Sequence, residues 1–362
     1  MKILYVITGL AQGGAERVVC DLADKMYEKG NEVKIVYLTG KVLTKPTYPE
    51  IELIKIDLNS MFSLPAAYLN LSNVVKKFAP DVVHAHMVHA NILTRLVRIV
   101  TPIKKLICTA HNSDEGGQLR MLAYRITHNL ADITTNVSNE AAKAFIEKKA
   151  VQGSDIITTY NGIDLSKFYY QSEAKNKILN DLNISSDYYL ILAVGRFNEQ
   201  KDFPNLLNAI ALFKSQYKKK FKLIIAGDGE LRQEIEKLIK ELDLEEDVIL
   251  LGRRNDIPDL MSAVDLFVLS SRYEGFGLVV AEAMACETLV VATNCGGVGE
   301  VLNNPDFLVQ PSNFISMAEK IHIAIQIKED LKKEIILKNL KHVQENFSLD
   351  IIIEKWLKLY AN

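Results

Sequence analysis

The chain has 362 residues, 48% of them hydrophobic and 24% charged, with a net charge of −2. Such a composition excludes a disordered chain and a bulk nucleic-acid binder, and the length allows two domains with separate cores. Four scattered cysteines (Cys20, Cys108, Cys286 and Cys295) show no CxxC spacing and no Cys/His cluster, which excludes a zinc ribbon and fits a reducing cytosol. No stretch reaches the roughly 18–20 apolar residues of a membrane span. The opening "MKILYVITGLAQGG" reads as a buried strand with a glycine-rich turn, not as a signal segment.

In chain order the pattern alternates strand and helix. "KILYVIT" (2–8) reads as a strand, and "GAERVVCDLADKMYEKG" (14–30) as a helix closed by Gly30. "NEVKIVYLT" (31–39), "DVVHAHM" (81–87), "KLICTAH" (105–111), "ADITTNVS" (131–138) and "DIITTYNGID" (155–164) continue the strand series. Continuous apolar strands separated by helices imply a parallel sheet covered on both faces. The pattern restarts at "YYLILAVGR" (188–196) and runs through "FKLIIAGDGE" (221–230), "DVILLGR" (247–253), "AVDLFVLSS" (263–271) and "TLVVATN" (288–294). The expected fold class is α/β, with two doubly wound Rossmann-like domains. Residues 1–165 would form the first and 166–345 the second. Residues 346–362, with Trp356 among apolar neighbours, would form a helix packing back on the body. Ligands of such sheets bind outside the carboxyl ends of the strands, so the expected site is a cleft between the two domains.

"SSRYEGFGLVVAEAMAC" (270–286) carries two carboxylates in an apolar run. Such groups are excluded from a core unless each has a partner. On one helix, eight residues would put Glu274 and Glu282 about 12 Å apart along the axis, too far for an acid/base pair. Gly275 and Gly277 instead make Glu274 a loop residue and start a helix near Leu278, with Glu282 in its early turns. A helix start offers N–H groups and a positive dipole end to a phosphate. The flanking carboxylates would accept hydrogen bonds from sugar hydroxyls, one from a hexose and one from a ribose. The plainer alternative is a helix-end charge and one satisfied core glutamate.

"VGRFNEQKDF" (194–203) places Arg196 and Lys201 after a strand, a fork and a point charge suited to a diphosphate. A solvated loop is the alternative. Gly227 in "AGDGE" and Arg253 in "LGRRND" lie at neighbouring strand ends, where a ligand could approach. "GLAQGGAERV" (9–18) lacks GxGxxG spacing, which argues against a dinucleotide fingerprint, but puts Gly14 at the cleft. His86 and His111 end strands and are expected to face the cleft, with Asn112 beside them. His84 and His86 share a strand face, but no D-x-D occurs in the chain, so no metal is expected. Residues 82–113 carry no Asp or Glu but hold Arg95, Arg98, Lys104 and Lys105. That stretch reads as a basic, apolar surface for anionic lipid or a lipid diphosphate, or as a core helix with two solvated arginines.

Taken together, "GGAERV", "HN" (111–112), "YNGID" (160–164), "GRFNEQKDF", "AGDGELR" and above all "EGFGLVVAEAMAC" make the chain resemble the retaining glycosyltransferases of family 4, with the GT-B fold, over nearly its whole length. The resemblance implies that Arg196 and Lys201 hold the donor diphosphate, and that Glu274 meets donor-sugar hydroxyls and Glu282 the ribose. It further implies that backbone amides at Phe276, Gly277 and Leu278 meet sugar and phosphate, that His111 sits by the reacting carbon, and that Gly14 comes near the phosphates. Catalytic roles would fall to Glu274, His111, Arg196 and Lys201. Two departures concern backbone shape. Glu287-Thr288-Leu289 stands where the family has Gly-Thr-Pro, and Gly299 stands where it has Pro.

The implied reaction is retaining, metal-independent transfer of a hexose or N-acetylhexosamine from a nucleotide sugar, with uridine the expected base and guanosine next. The implied acceptor is a polyprenyl-diphosphate-linked glycan, at the inner face of the cytoplasmic membrane, in lipopolysaccharide or other surface-polysaccharide synthesis. No cofactor and no nucleic-acid partner are expected. The alternatives are an epimerase, a transferase to a soluble acceptor, and a non-enzymatic nucleotide-sugar-binding partner. Intact Glu274, Glu282, Arg196 and Lys201 weigh against the last.

Overall fold

A computed structural model describes residues 1–152, 155–217 and 219–361. The first part of the chain forms β1 (Lys2–Gly9), α1 (Gly14–Glu28), β2 (Glu32–Thr39), β3 (Glu52–Lys55), α2 (Leu64–Phe78), β4 (Val82–His86), α3 (Val88–Val97) and β5 (Leu106–Ala110). It continues through α4 (Gln118–Thr127), β6 (Ile133–Asn136), α5 (Asn139–Glu147) and β7 (Ile156–Thr158). The second part begins with α6 (Ala174–Asp181), β8 (Tyr189–Val194), α7 (Phe203–Gln216), β9 (Phe221–Ala226), α8 (Arg232–Glu241), β10 (Val248–Gly252) and α9 (Ile257–Ala263). Then come β11 (Leu266–Leu269), α10 (Leu278–Ala285), β12 (Val290–Thr293), α11 (Val298–Leu302), β13 (Leu308–Val309), α12 (Phe314–Gln326), α13 (Glu329–Asn346) and α14 (Leu349–Ala361).

Two compact units result. Met1–Gly162 with Leu349–Asn362 makes the first, and Ile163–Ser348 the second. The division falls at Gly162 because the next residue is tied into the second unit: the Ile163 N–H donates to the Phe347 carbonyl at 2.7 Å. The last helix belongs to the first unit. Its Trp356 ring lies 4.5 Å from His84, and its Tyr360 hydroxyl bonds His84 Nδ1 at 2.7 Å.

The first unit is a seven-stranded parallel sheet in the order β3-β2-β1-β4-β5-β6-β7. β4 and β5 are buried along their whole length, as expected for central strands with helices on both faces. Leu71, Val75, Leu93 and Val97 of α2 and α3 close one face over Val83, Ala85, Leu106 and Cys108. The second unit is a six-stranded parallel sheet in the order β10-β9-β8-β11-β12-β13. Its helix α10, "LVVAEAMA", is apolar on every side except at Glu282. It is enclosed accordingly, with Val280 to Ala285 all buried.

Candidate active site

In the second unit the strand order reverses between β8 and β11, which pair at Ile191–Leu266 and Leu192–Phe267. The two loops leaving these strands are therefore neighbours at a switch point, where the sheet opens a crevice. One carries Lys201, the other Glu274. Lys201 Nζ lies 2.5 Å from Glu274 Oε1, and both side chains are largely enclosed. Glu274 also accepts from Ser271 Oγ at 2.7 Å and from Gln200 Nε2 at 3.5 Å. An enclosed carboxylate at the end of a strand is thus satisfied by a cation and a hydroxyl from the two loops it joins.

Further bonds lock these loops. The Arg272 N–H donates to the Gln200 carbonyl at 2.8 Å, and Ser270 Oγ to the Lys201 carbonyl at 2.8 Å. Arg272 Nε lies 2.9 Å from Oδ2 of Asp202, a buried residue with φ +48° that also accepts from Ser312 Oγ at 2.9 Å. Gly296 has φ +53°, and a Cβ there would collide with the Glu274 carbonyl oxygen. Gln200, Asp202, Ser271 and Gly296 are supports that the sequence motifs did not single out. Their positions follow from strand order, which no local spacing reveals.

Arg196 is exposed at the start of the loop that follows β8, its Nε 3.0 Å from Glu230 Oε2. Gly227 meets a different demand from the one expected. Its φ is +156°, and a Cβ would strike the Gly195 carbonyl, so the β8 and β9 loops pack backbone to backbone. Arg253 lies exposed just after β10. Phe276 turns its ring inward, 5.2 Å edge-on from Phe347, which leaves only its backbone for a ligand. Gly277, with φ +92°, caps α10, and Leu278 begins it. Glu282 is buried, about 6 Å along the helix from its start.

In the first unit, Gly14 opens α1 beyond the carboxyl end of β1, where the strand order also reverses. His111 follows β5, and its Nε2 shares a 3.0 Å hydrogen bond with Nδ1 of the fully buried His86. Burial pushes the His111 imidazole down to about 4 and holds His84 and His86 well below the usual range, so all three are neutral near pH 7. Asn112 is half-buried beside it, its carbonyl accepting from Asn136 Nδ2 at 3.2 Å.

The basic surface expected on residues 82–113 loses its first arginine to the core. Arg95 is fully buried: Nη2 donates to Thr134 Oγ1 at 2.9 Å, Nη1 to the Tyr124 carbonyl at 3.3 Å, and the guanidinium lies 5.1 Å from the Tyr124 ring. The reason is tertiary, since α4 packs over α3 and covers it. His86 is also interior. Arg98 is held by Asp132 at 2.8 Å and the Leu130 carbonyl at 3.0 Å. Lys104 pairs with Asp81 at 2.7 Å, and Lys105 is half-buried. Among the described residues, no group of three or more His, Cys, Asp or Glu side chains is placed to hold a metal ion. None of their helices is long and apolar enough to cross a membrane.

Two family models match this chain, Glycosyltransferase Family 4 over residues 12–167 and Glycosyl transferases group 1 over residues 174–340. The chain is a family 4 glycosyltransferase. It is 25% identical to N-acetyl-alpha-D-glucosaminyl L-malate synthase of Bacillus anthracis, covering 99% of this chain and 97% of that one. It is 26% identical to the UDP-Gal:alpha-D-GlcNAc-diphosphoundecaprenol alpha-1,3-galactosyltransferase of Escherichia coli, covering 86% and 81%. A glycosyltransferase from Rickettsia africae ESF-5 superposes with a TM-score of 0.86 at 24% identity, covering 99% and 97%, and the shared fold is GT-B.

Within this glycosyltransferase, Arg196, Lys201, Gly227, Glu274 and the start of α10 lie at the carboxyl ends of the second sheet. Gly14, His86, His111 and Asn112 lie at those of the first. Glu115 is the residue in the first unit that the motifs missed. Its Oε1 accepts the His111 backbone N–H at 2.8 Å and its Oε2 the Tyr124 hydroxyl at 2.5 Å. Burial pushes its carboxyl up to about 7, against the pull of those two bonds. A glutamate in "HNSDEGG" looks like a loop charge, and only the fold of residues 111–124 shows it buried.

Proposed function

We propose that the chain moves a hexose or N-acetylhexosamine, with retention and without a metal, from a uridine diphosphate sugar to a glycan on a polyprenyl diphosphate at the cytoplasmic face of the membrane. The observation that carries this reading is the Lys201–Glu274 pair at the switch point of the second sheet, with Arg196 and the start of α10 on the same rim. An ammonium has three donors and a carboxylate about four acceptor sites. Lys201 can therefore hold Glu274 and still reach a diphosphate, and Glu274 can hold Lys201 and Ser271 and still accept a sugar hydroxyl.

In the proposed step the bond from the anomeric carbon to the phosphate oxygen breaks. Arg196, Lys201 and the α10 backbone amides stabilise the charge growing on the nucleoside diphosphate. The acceptor hydroxyl oxygen bonds to the anomeric carbon on the face the phosphate leaves, and its proton passes to the departing phosphate oxygen. The enclosed, neutral His111 supplies a hydrogen-bonding group without a charge that would repel an oxocarbenium-like carbon.

The Escherichia coli relative is named for UDP-Gal and a diphosphoundecaprenol acceptor, which supports both the donor and the acceptor class. The Bacillus anthracis relative is named for joining N-acetylglucosamine to L-malate, so a small soluble acceptor is the second reading. The test is a panel of nucleotide sugars, with and without a short polyprenyl-diphosphate glycan and with EDTA, on wild type and the Glu274→Ala and Arg196→Ala variants. The expected result is EDTA-resistant transfer from one UDP-sugar to the lipid-linked acceptor, lost in both variants. Donor epimerised without acceptor, transfer abolished by EDTA, or both variants fully active would each overturn the reading.

A further inference from the structure

We propose that the outward face of α4 docks on the headgroup layer of an anionic bilayer. The inference rests on the lipid-linked acceptor proposed above, and it replaces the surface expected at residues 82–113. A helix on a soluble domain turns its apolar stripe inward and its polar side out. α4 does bury Met121, Tyr124 and Thr127. It also exposes Leu119 (83%), Leu122 (52%) and Ile126 (74%). At 100° per residue these three fall within about 60° of each other, on the side away from Tyr124. Arg120 and Arg125 sit on the two shoulders of the stripe, both exposed.

The charge on the helix itself has one sign. Residues 116–131 contain Arg120 and Arg125 and no Asp or Glu. The acids at its borders are engaged. Asp114 holds Lys148 at 2.8 Å, Glu115 is buried against Tyr124, Asp132 holds Arg98 at 2.8 Å, and Asp155 meets His128 Nε2 at 3.2 Å. α5 packs on α4 through Phe145 and Tyr124, 5.2 Å between ring centres; its Glu147 is paired with Lys143 at 3.9 Å, and exposed Lys149 follows it. An apolar stripe between cations is the composition of a helix that lies in a lipid–water interface. A second copy of the same face would set arginine against arginine with no carboxylate between, which argues for lipid over self-association. Of the other strongly exposed apolar pairs among the described residues, Met61 and Phe62 have no Lys or Arg within residues 56–75, and Ile99 and Val100 lie in the turn after α3 and not along a helix face.

The test uses the full chain and phosphatidylcholine vesicles with and without phosphatidylglycerol. Wild type is compared with the triple variant Leu119→Gln/Leu122→Gln/Ile126→Gln and with Arg125→Gln. Trp356, the single tryptophan, reports folding of the first unit by its fluorescence. Wild type is expected to sediment with phosphatidylglycerol vesicles, less so as salt rises. The triple variant, still folded, is expected to lose about tenfold in vesicle partition, and Arg125→Gln about fivefold. The triple variant should still turn over a short, water-soluble acceptor at the wild-type rate. Equal vesicle binding by the triple variant, or equal binding of wild type to both vesicle types, would overturn the proposal. So would a lipid-free wild-type dimer that the triple variant breaks, seen by sedimentation. If the chain binds the vesicles through α4 but transfers sugar only to soluble acceptors, the docking face stands and the lipid-linked acceptor falls.

Discussion

Glu115 Oε1 accepts the His111 backbone N–H at 2.8 Å, so a buried carboxyl anchors the residue proposed to stand by the reacting carbon. The two side chains respond to pH in opposite senses. Burial raises the Glu115 carboxyl to about 7, above its unfolded value, so its contribution to stability is complete below about 4.5 and is lost as pH rises through 7. Burial lowers His111 to about 4, so its contribution is complete above about 6.5 and is lost as pH falls through 4. The Glu115→Gln variant lacks the first trend. Its stability relative to wild type should improve by up to about 3 kcal/mol between pH 4.5 and pH 8. Urea unfolding of the two proteins at both pH values, followed by Trp356 fluorescence, checks this. A difference that does not change with pH would show that Glu115 is not titrating in this range.

The Lys201–Glu274 pair joins the loops after β8 and β11 in an enclosed position, so removing one partner strands the other. Lys201→Met alone should cost about 3 kcal/mol of stability. The double variant Lys201→Met/Glu274→Gln should recover most of that loss and remain inactive, because the pair is proposed to act on the donor. Chemical denaturation set beside a donor-turnover assay separates the two effects. A double variant no more stable than Lys201→Met would mean that the pair is not a structural unit.

Gly296 lies against the Glu274 carbonyl with φ +53°, whereas Gly252, with φ +67°, has nothing within 3.4 Å of where a Cβ would stand. Both substitutions to alanine carry the left-handed penalty of about 1 kcal/mol. Only Gly296→Ala must also displace Glu274. It should lose several-fold more thermal stability than Gly252→Ala, and lose UDP-sugar binding with it. Calorimetric melting curves with and without donor would decide. Equal shifts for the two variants would count against the close approach.

Arg95 is interior, so Arg95→Ala is expected to destabilise the first unit by about 3 kcal/mol or more while leaving vesicle partition of the folded fraction unchanged. Arg125→Gln should show the reverse pattern. The two variants measured side by side, by denaturation and by vesicle sedimentation, distinguish a core arginine from a surface one. A stable Arg95→Ala protein that no longer binds lipid would restore the surface expected from residues 82–113.

Continuous apolar strands, the restart of the pattern near residue 188, and the glycine-flanked "EGFG" were enough to place two parallel α/β units and a helix beginning at Leu278. Each of these signals is local, because period, turn chemistry and apolar run length act over a few residues. Strand order was not local. The β8–β11 neighbourhood that joins Lys201 to Glu274 links loops more than 70 residues apart, and only the sheet decides it. Burial of charge was equally hidden. Arg95 read as a surface residue and Glu115 was not singled out, because nothing in their own segments shows that α4 and Tyr124 close over them. The same closure turns Leu119, Leu122 and Ile126 outward: a helix that spends one face on the core has its opposite face settled by geometry, whatever residues stand there.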